Sequence, residues 1–165
     1  MELETDWFDV GYDLVERPGG ELARYWWVAP DDAVWIVART HGGEVVLVEQ
    51  YRPRQRERYL EIPAGRVEDG ESYAAAAERE LREETGYLAG DLDVLGVYDT
   101  GGWLRQKRAV AVATDLATGP PAPDDGEFID VQTLPVAEAL DRIATPPTTV
   151  ATLAPLLLAA EEGLL

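Results

Sequence analysis

Apolar residues fall in short blocks along this chain, each bounded by a turn signal. Residues 7–28 carry β-favouring side chains around Pro18-Gly19-Gly20, the composition of a hairpin. Val34-Trp35-Ile36-Val37-Ala38 and residues 44–51 flank a second turn at His41-Gly42-Gly43. Both read as strands, the first apolar enough to be buried on both faces. An arginine-rich stretch, 52–58, gives way to a short apolar piece, 59–63. From 72 to 85 the pattern turns helical, with four alanines leading into Leu81 and Gly86 standing where a helix C′ residue belongs. The stripe Ala74, Ala77 and Leu81 is small and apolar, suited to press on a sheet. Strand patterns return at 92–98 and 109–114, a proline-rich loop fills 119–126, and a short strand follows at 128–131. Helical pieces at 136–143 and 149–160 end the chain. Hairpin-like strands mixed with a few helices predict α+β or an α/β sandwich, not a doubly wound sheet.

At 165 residues the chain suits a single domain, and 46% hydrophobic residues supply a core. There is no cysteine, so disulfides, zinc–thiolate sites and thiol nucleophiles are excluded. The N-terminus is acidic and unlike a signal peptide. The apolar run at 151–160 is interrupted by Pro155 and too short to span a bilayer. A soluble, cytoplasmic protein is expected. Thirty-two acids against fourteen bases give a net charge of −18, which repels nucleic acid and anionic membrane alike. Lys107 is the only lysine, and this acidic, lysine-poor surface resembles that of halophile proteins.

The helix is unusual in its charges. Glu80, Glu83 and Glu84 stand at i, i+3 and i+4 and share one stripe. Like charges at that spacing cost about 0.2–0.5 kcal/mol per pair, so the arrangement makes sense if a cation neutralises it. Oxygen-only ligands suit Mg²⁺ or Mn²⁺. Arg79, four residues before Glu83, is placed to clamp that carboxylate.

Read from Gly65, the sequence GRVEDGESYAAAAERELREETGY resembles the Nudix hydrolase signature. Gly65, Glu71, Arg79, Glu80, Leu81, Glu83, Glu84 and Gly86 match, and Tyr87 replaces the final aliphatic residue. The resemblance implies an α/β/α sandwich, the Nudix fold with a mixed β-sheet, preceded here by a small N-terminal antiparallel hairpin. It implies a single domain, with an extension over about residues 1–32 and a catalytic core over about 33–165. It also implies Mg²⁺- or Mn²⁺-dependent hydrolysis of a nucleoside diphosphate linked to another moiety. Glu80, Glu83 and Glu84 become metal ligands, Arg79 the residue that orients them, and the Ala64 carbonyl a further ligand. Gly65 lets the loop turn close to the metals, while Glu71 and Gly86 are structural.

Gln50-Tyr51-Arg52-Pro53 and Glu61-Ile62-Pro63-Ala64-Gly65 are similar to segments of ADP-ribose pyrophosphatases. That likeness assigns Arg52 to the substrate's phosphates and Glu61 to a place beside the metal site. It implies a homodimer that sandwiches adenine between Trp7 of one protomer and Tyr25 or Trp26 of the other. A carboxylate from the late loop, Glu127, is the candidate base, with Asp124 and Asp125 nearby; His41 reads as a surface turn residue. ADP-ribose members carry a proline after the box where this chain has Thr100-Gly101-Gly102-Trp103, so other NDP-sugars and oxidised nucleotides stay open. A non-catalytic nucleotide sensor is the remaining alternative, and degenerate metal glutamates would be its mark.

Overall fold

A computed structural model describes residues 1–119 and 129–165. Two sheets make up the strand content. The smaller is β1 (Leu3–Glu4), β2 (Phe8–Glu16) and β3 (Leu22–Pro30), in that order. Its hairpin is the one expected, with Glu16 opposite Leu22 and Phe8 opposite Pro30. The larger is built from β4 (Ala33–Arg39), β5 (Glu44–Arg52), β6 (Glu57–Glu61), β7 (Ala64–Arg66), β8 (Tyr87–Asp99), β9 (Lys107–Thr118) and β10 (Ile129–Pro135). Its main order is β10-β5-β4-β9-β8, with β4 and β9 parallel and the remaining pairs antiparallel, so the sheet is mixed.

Period-2 alternation along the central strands feeds two separate cores. Val34, Ile36 and Ala38 of β4, with Val46 of β5, face α1 (Tyr73–Thr85). Val37, Val45 and Leu47 face the other way, onto Ala139 and Ile143 of α2 (Val136–Ile143) and Leu156 and Ala159 of α3 (Val150–Glu161). Helices therefore cover both faces of the sheet, which is the α/β/α sandwich expected.

Helix α1 begins at Ser72, whose side chain accepts from the Ala75 N–H, and stops at Gly86 in the left-handed region at φ 73°. Alanines on both sides, Ala76 and Ala77 against Ala109, Ala111 and Ala113, allow the helix to lie close to the sheet. The buried stripe differs from the expected one. Ala76, Ala77 and Leu81 are buried while Ala74 is half-buried, because the helix presents two adjacent alanines to the sheet. Strands β8 and β9 outrun their apolar blocks, since hairpin pairing carries polar residues along with them. Among the described residues no helix is long and apolar enough to cross a membrane.

Candidate active site

The site grows out of a fork in the sheet. Strands β4 and β5 pair only at Ala38–Val46 and Arg39–Val45 and then diverge. The chain fills the gap, β6 pairing with β5 (Glu61 opposite Val48) and β7 with β4 (Ala64 opposite Trp35). Between them the Ile36 N–H donates to the Pro63 carbonyl at 2.9 Å. This places Glu61, Ile62, Ala64 and Gly65 along a cleft of about 530 Å³, which Trp7, Trp35, Arg52, Glu80 and Arg108 also line.

Gly65 is needed there for space. A Cβ on it would come within 1.9 Å of the Glu80 carboxylate, so the carboxylate packs on bare backbone. The expectation that this glycine serves a turn is replaced by that geometry, for Gly65 lies within β7. Behind it, Glu84 is 7% exposed and accepts the Ala64 N–H at 2.9 Å, tying the helix to the strand.

Arg79 organises the rest. Each of its five N–H groups is used. Nε and Nη2 donate to the two Glu71 oxygens at 3.1 and 3.0 Å. Nη1 donates to Glu80 at 2.8 Å and Glu83 at 3.0 Å, and Nη2 also to the Arg66 carbonyl at 2.9 Å. These carboxylates hold the Arg79 pKa well above its ordinary value, the Glu71 bonds contributing most. In return the Arg79 bonds pull Glu71 below the usual carboxylate range. Glu71 also accepts the Glu68 N–H at 3.1 Å, so it fixes the turn before the helix as well as the arginine.

The donor set fits a hard divalent cation in kind. Its side-chain donors are all carboxylate oxygens, carried on one helix against a glycine cradle. Among the described residues, however, no three acidic or imidazole side chains converge on a common point. Arg79 supplies the counter-charge to Glu80 and Glu83 in this arrangement.

The remaining expected residues divide. Arg52 lies in the cleft, its guanidinium held by Glu61 at 2.6 and 2.8 Å, with Glu61 itself only 6% exposed. Trp7 lines the cleft and is 72% exposed, with the Arg66 guanidinium 5.9 Å from its ring centre. Tyr25 and Trp26 sit exposed on β3 and are not among the lining residues; Trp26 packs on Tyr12 with ring centroids 5.0 Å apart. His41 is an exposed turn residue, 3.1 Å from Asp115. Glu127, with Asp124 and Asp125, lies outside the described residues. Sequence reading passed over Trp35, Arg66, Gln106 and Arg108, all of which line the cleft. The Lys107-Arg108 pair in so acidic a chain was the available signal.

Comparison with known proteins agrees with this geometry. The NUDIX domain family model matches residues 29–154. A methanol dehydrogenase activator of Bacillus methanolicus is 37% identical over 134 residues, 79% of this chain and 72% of the relative. An ADP-ribose pyrophosphatase of Bacillus subtilis (strain 168) is 33% identical over 135 residues, 80% of this chain and 73% of its own. A solved structure described as an ADP compounds hydrolase has a TM-score of 0.85 at 25% identity, covering 99% of this chain and 92% of that one. With Gly65 and Glu80 of the signature lining the cleft, Arg79 tying Glu71 and Glu83 to Glu80 beside it, and the family model spanning most of the sequence, the chain belongs to the NUDIX domain family, the Nudix hydrolases.

Proposed function

We propose that this protein is a Mg²⁺-dependent pyrophosphohydrolase that cleaves ADP-ribose to AMP and ribose 5-phosphate. The observation that carries the reading is the Arg79-centred carboxylate network beside a cleft that also holds Arg52, Arg108 and Trp7. The relatives named ADP-ribose pyrophosphatase, from Bacillus subtilis and from Mycobacterium tuberculosis at 33% and 35% identity, support the choice of substrate.

Glu80, Glu83 and Glu84, with the Ala64 carbonyl, would hold the divalent cation. Bound there, a divalent cation would supply charge neutralisation for the diphosphate oxygens and make the attacking water more acidic. The protein's own part is positioning. Arg79, fixed by Glu71, keeps the Glu80 and Glu83 carboxylates facing one way, so little reorganisation is needed at reaction. Glu61 holds the Arg52 guanidinium at the cleft, where it meets a phosphate oxygen. Glu83 or Glu127 takes the proton of the attacking water. The water oxygen bonds to one phosphorus, and the bridging oxygen leaves with the other phosphate. No covalent nucleophile is required, consistent with a chain lacking cysteine.

The N-terminal sheet, about residues 1–32, serves dimerisation and base recognition in this reading, with Trp7 and a partner's Tyr25 or Trp26 around adenine. The exposed aromatics of that segment support it. The protein works in the cytoplasm, and its acidic surface suits a salt-rich one. The test is AMP release with Mg²⁺ over a panel of ADP-ribose, other NDP-sugars and nucleoside triphosphates, with light scattering for the dimer. ADP-ribose should have the highest kcat/KM. A better NDP-sugar would move the substrate assignment, and no turnover of any member would overturn the enzyme reading.

A further inference from the structure

The cleft holds three guanidinium groups, and they are not equivalent. Arg52 is neutralised by the buried Glu61. Arg66 has Asp31 at 3.7 Å. Arg108 has no carboxylate within ion-pair distance among the described residues. It is nevertheless partly buried, and burial draws its pKa below the ordinary value. Asp32 opposes that pull from a distance, but its own oxygens are committed to the Tyr73 hydroxyl and the Lys107 N–H. Half-buried Arg39 also has no ion pair among the described residues, but it does not line the cleft; Arg108 does.

It is also held in place. The Arg108 guanidinium lies 5.3 Å from the centre of the Trp35 ring, and its Nε donates to the Gln106 side-chain oxygen at 3.1 Å. Gln106 is buried and donates in turn to the Asp31 carbonyl at 2.5 Å. With Nε occupied and the guanidinium seated over the Trp35 ring, the two terminal nitrogens have no hydrogen-bond acceptor among the described residues and keep their donors for a ligand. Arg108 lines the cleft that contains Glu80 and also an adjoining cavity of about 670 Å³ lined by Trp7, Phe8 and Trp103. It stands where the carboxylate end of the cleft meets the aromatic end.

We propose that Arg108, braced by Trp35 and Gln106, is a substrate-binding residue that takes the diphosphate of the bound nucleotide at that junction. The inference rests on the nucleoside diphosphate reading above and adds a residue to it. A bound anion would offset the cost of keeping this cation partly buried, a cost that Glu61 offsets for Arg52.

The test compares ADP with adenosine as calorimetric ligands for the wild type, Arg108→Met and Arg108→Lys, alongside ADP-ribose kinetics. Arg108→Met keeps the packing on Trp35 and should weaken ADP binding by about tenfold or more, the size of a charge-assisted hydrogen bond, while adenosine affinity stays within about twofold. KM for ADP-ribose should rise more than kcat falls, and added KCl should weaken ADP binding less steeply than in the wild type. Arg108→Lys keeps the charge without the fork and should fall between; it also decides the matter if the methionine variant does not fold. ADP affinity unchanged in both variants, or ADP and adenosine weakened together, overturns the proposal. A wild type that hydrolyses ADP-ribose while Arg108→Met and Arg108→Lys bind ADP normally defeats this inference alone, whereas a wild type that neither binds ADP nor cleaves any NDP-sugar defeats the functional reading with it.

Discussion

Arg79 grips Glu71 with a two-pronged contact, Nε to Oε1 at 3.1 Å and Nη2 to Oε2 at 3.0 Å, across eight residues of loop and helix. The pair sits beside the Glu80, Glu83 and Glu84 stripe, and it lets one arginine face Glu80 and Glu83 without swinging. Because the carboxyl's folded pKa is depressed, the pair's stabilisation is present above the ordinary carboxylate value of 4.5 and is lost as pH falls through the folded value. Glu71→Gln should cost about 1.5–3 kcal/mol at neutral pH, the size of a charged hydrogen bond. The gap in Tm between wild type and variant should be widest above about pH 5 and shrink in acid. A gap that is the same at pH 3 and pH 7 would show that the carboxylate charge is not what stabilises this turn.

Gly65→Ala separates the site from the fold. The added Cβ meets the far end of the Glu80 side chain at 1.9 Å, and that end can swing away. Stability should therefore fall by only about 1 kcal/mol, while hydrolysis drops sharply because Glu80 has left its place. Gly86→Ala is the counterpart. Its φ of 73° strains an alanine by about 1 kcal/mol at the helix end, with far less effect on turnover. If Gly65→Ala keeps wild-type turnover, the cradle has no functional role.

Glu83→Gln keeps the shape of the side chain and removes one like charge from the stripe. Melting temperature should stay within a few degrees, while kcat falls on the order of 10²- to 10⁴-fold. EDTA should silence the wild type and added Mg²⁺ restore it. A folded Glu83→Gln enzyme with normal turnover would move the chemistry off this helix.

Tyr73 and Asp32 join the start of α1 to the start of β9. The Tyr73 hydroxyl donates to Asp32 Oδ2 at 2.6 Å, and Oδ1 accepts the Lys107 N–H at 2.7 Å. The bond to Asp32, aided by burial, pushes the tyrosine pKa up to about 12 from 10.0. A raised pKa means the stabilisation is fully present below pH 10 and is lost as pH climbs through 12. Tyr73→Phe should lower Tm by a constant amount between pH 7 and 9. The two proteins should converge toward pH 12. Parallel curves up to that pH would rule out the hydroxyl as the source.

Much of this molecule is written in local spacing. The unbroken apolar run at residues 34–38 determines a strand buried on both faces, because side chains in a strand point alternately to opposite sides. Ser72 and Gly86 mark the ends of α1 for reasons confined to a single helical turn, and the spacing of Glu80, Glu83 and Glu84 determines a shared stripe. What the tertiary structure decided depends on where strands part company. The divergence of β4 from β5 brings Ala64 to the Glu84 carboxylate, 20 residues away, and β9 running parallel to β4 brings Gln106 to the Asp31 carbonyl, 75 residues away. Nothing near Arg108 in the chain says that it has no ion-pair partner among the described residues; that follows from which of their carboxylates the pairing of distant strands has already committed elsewhere.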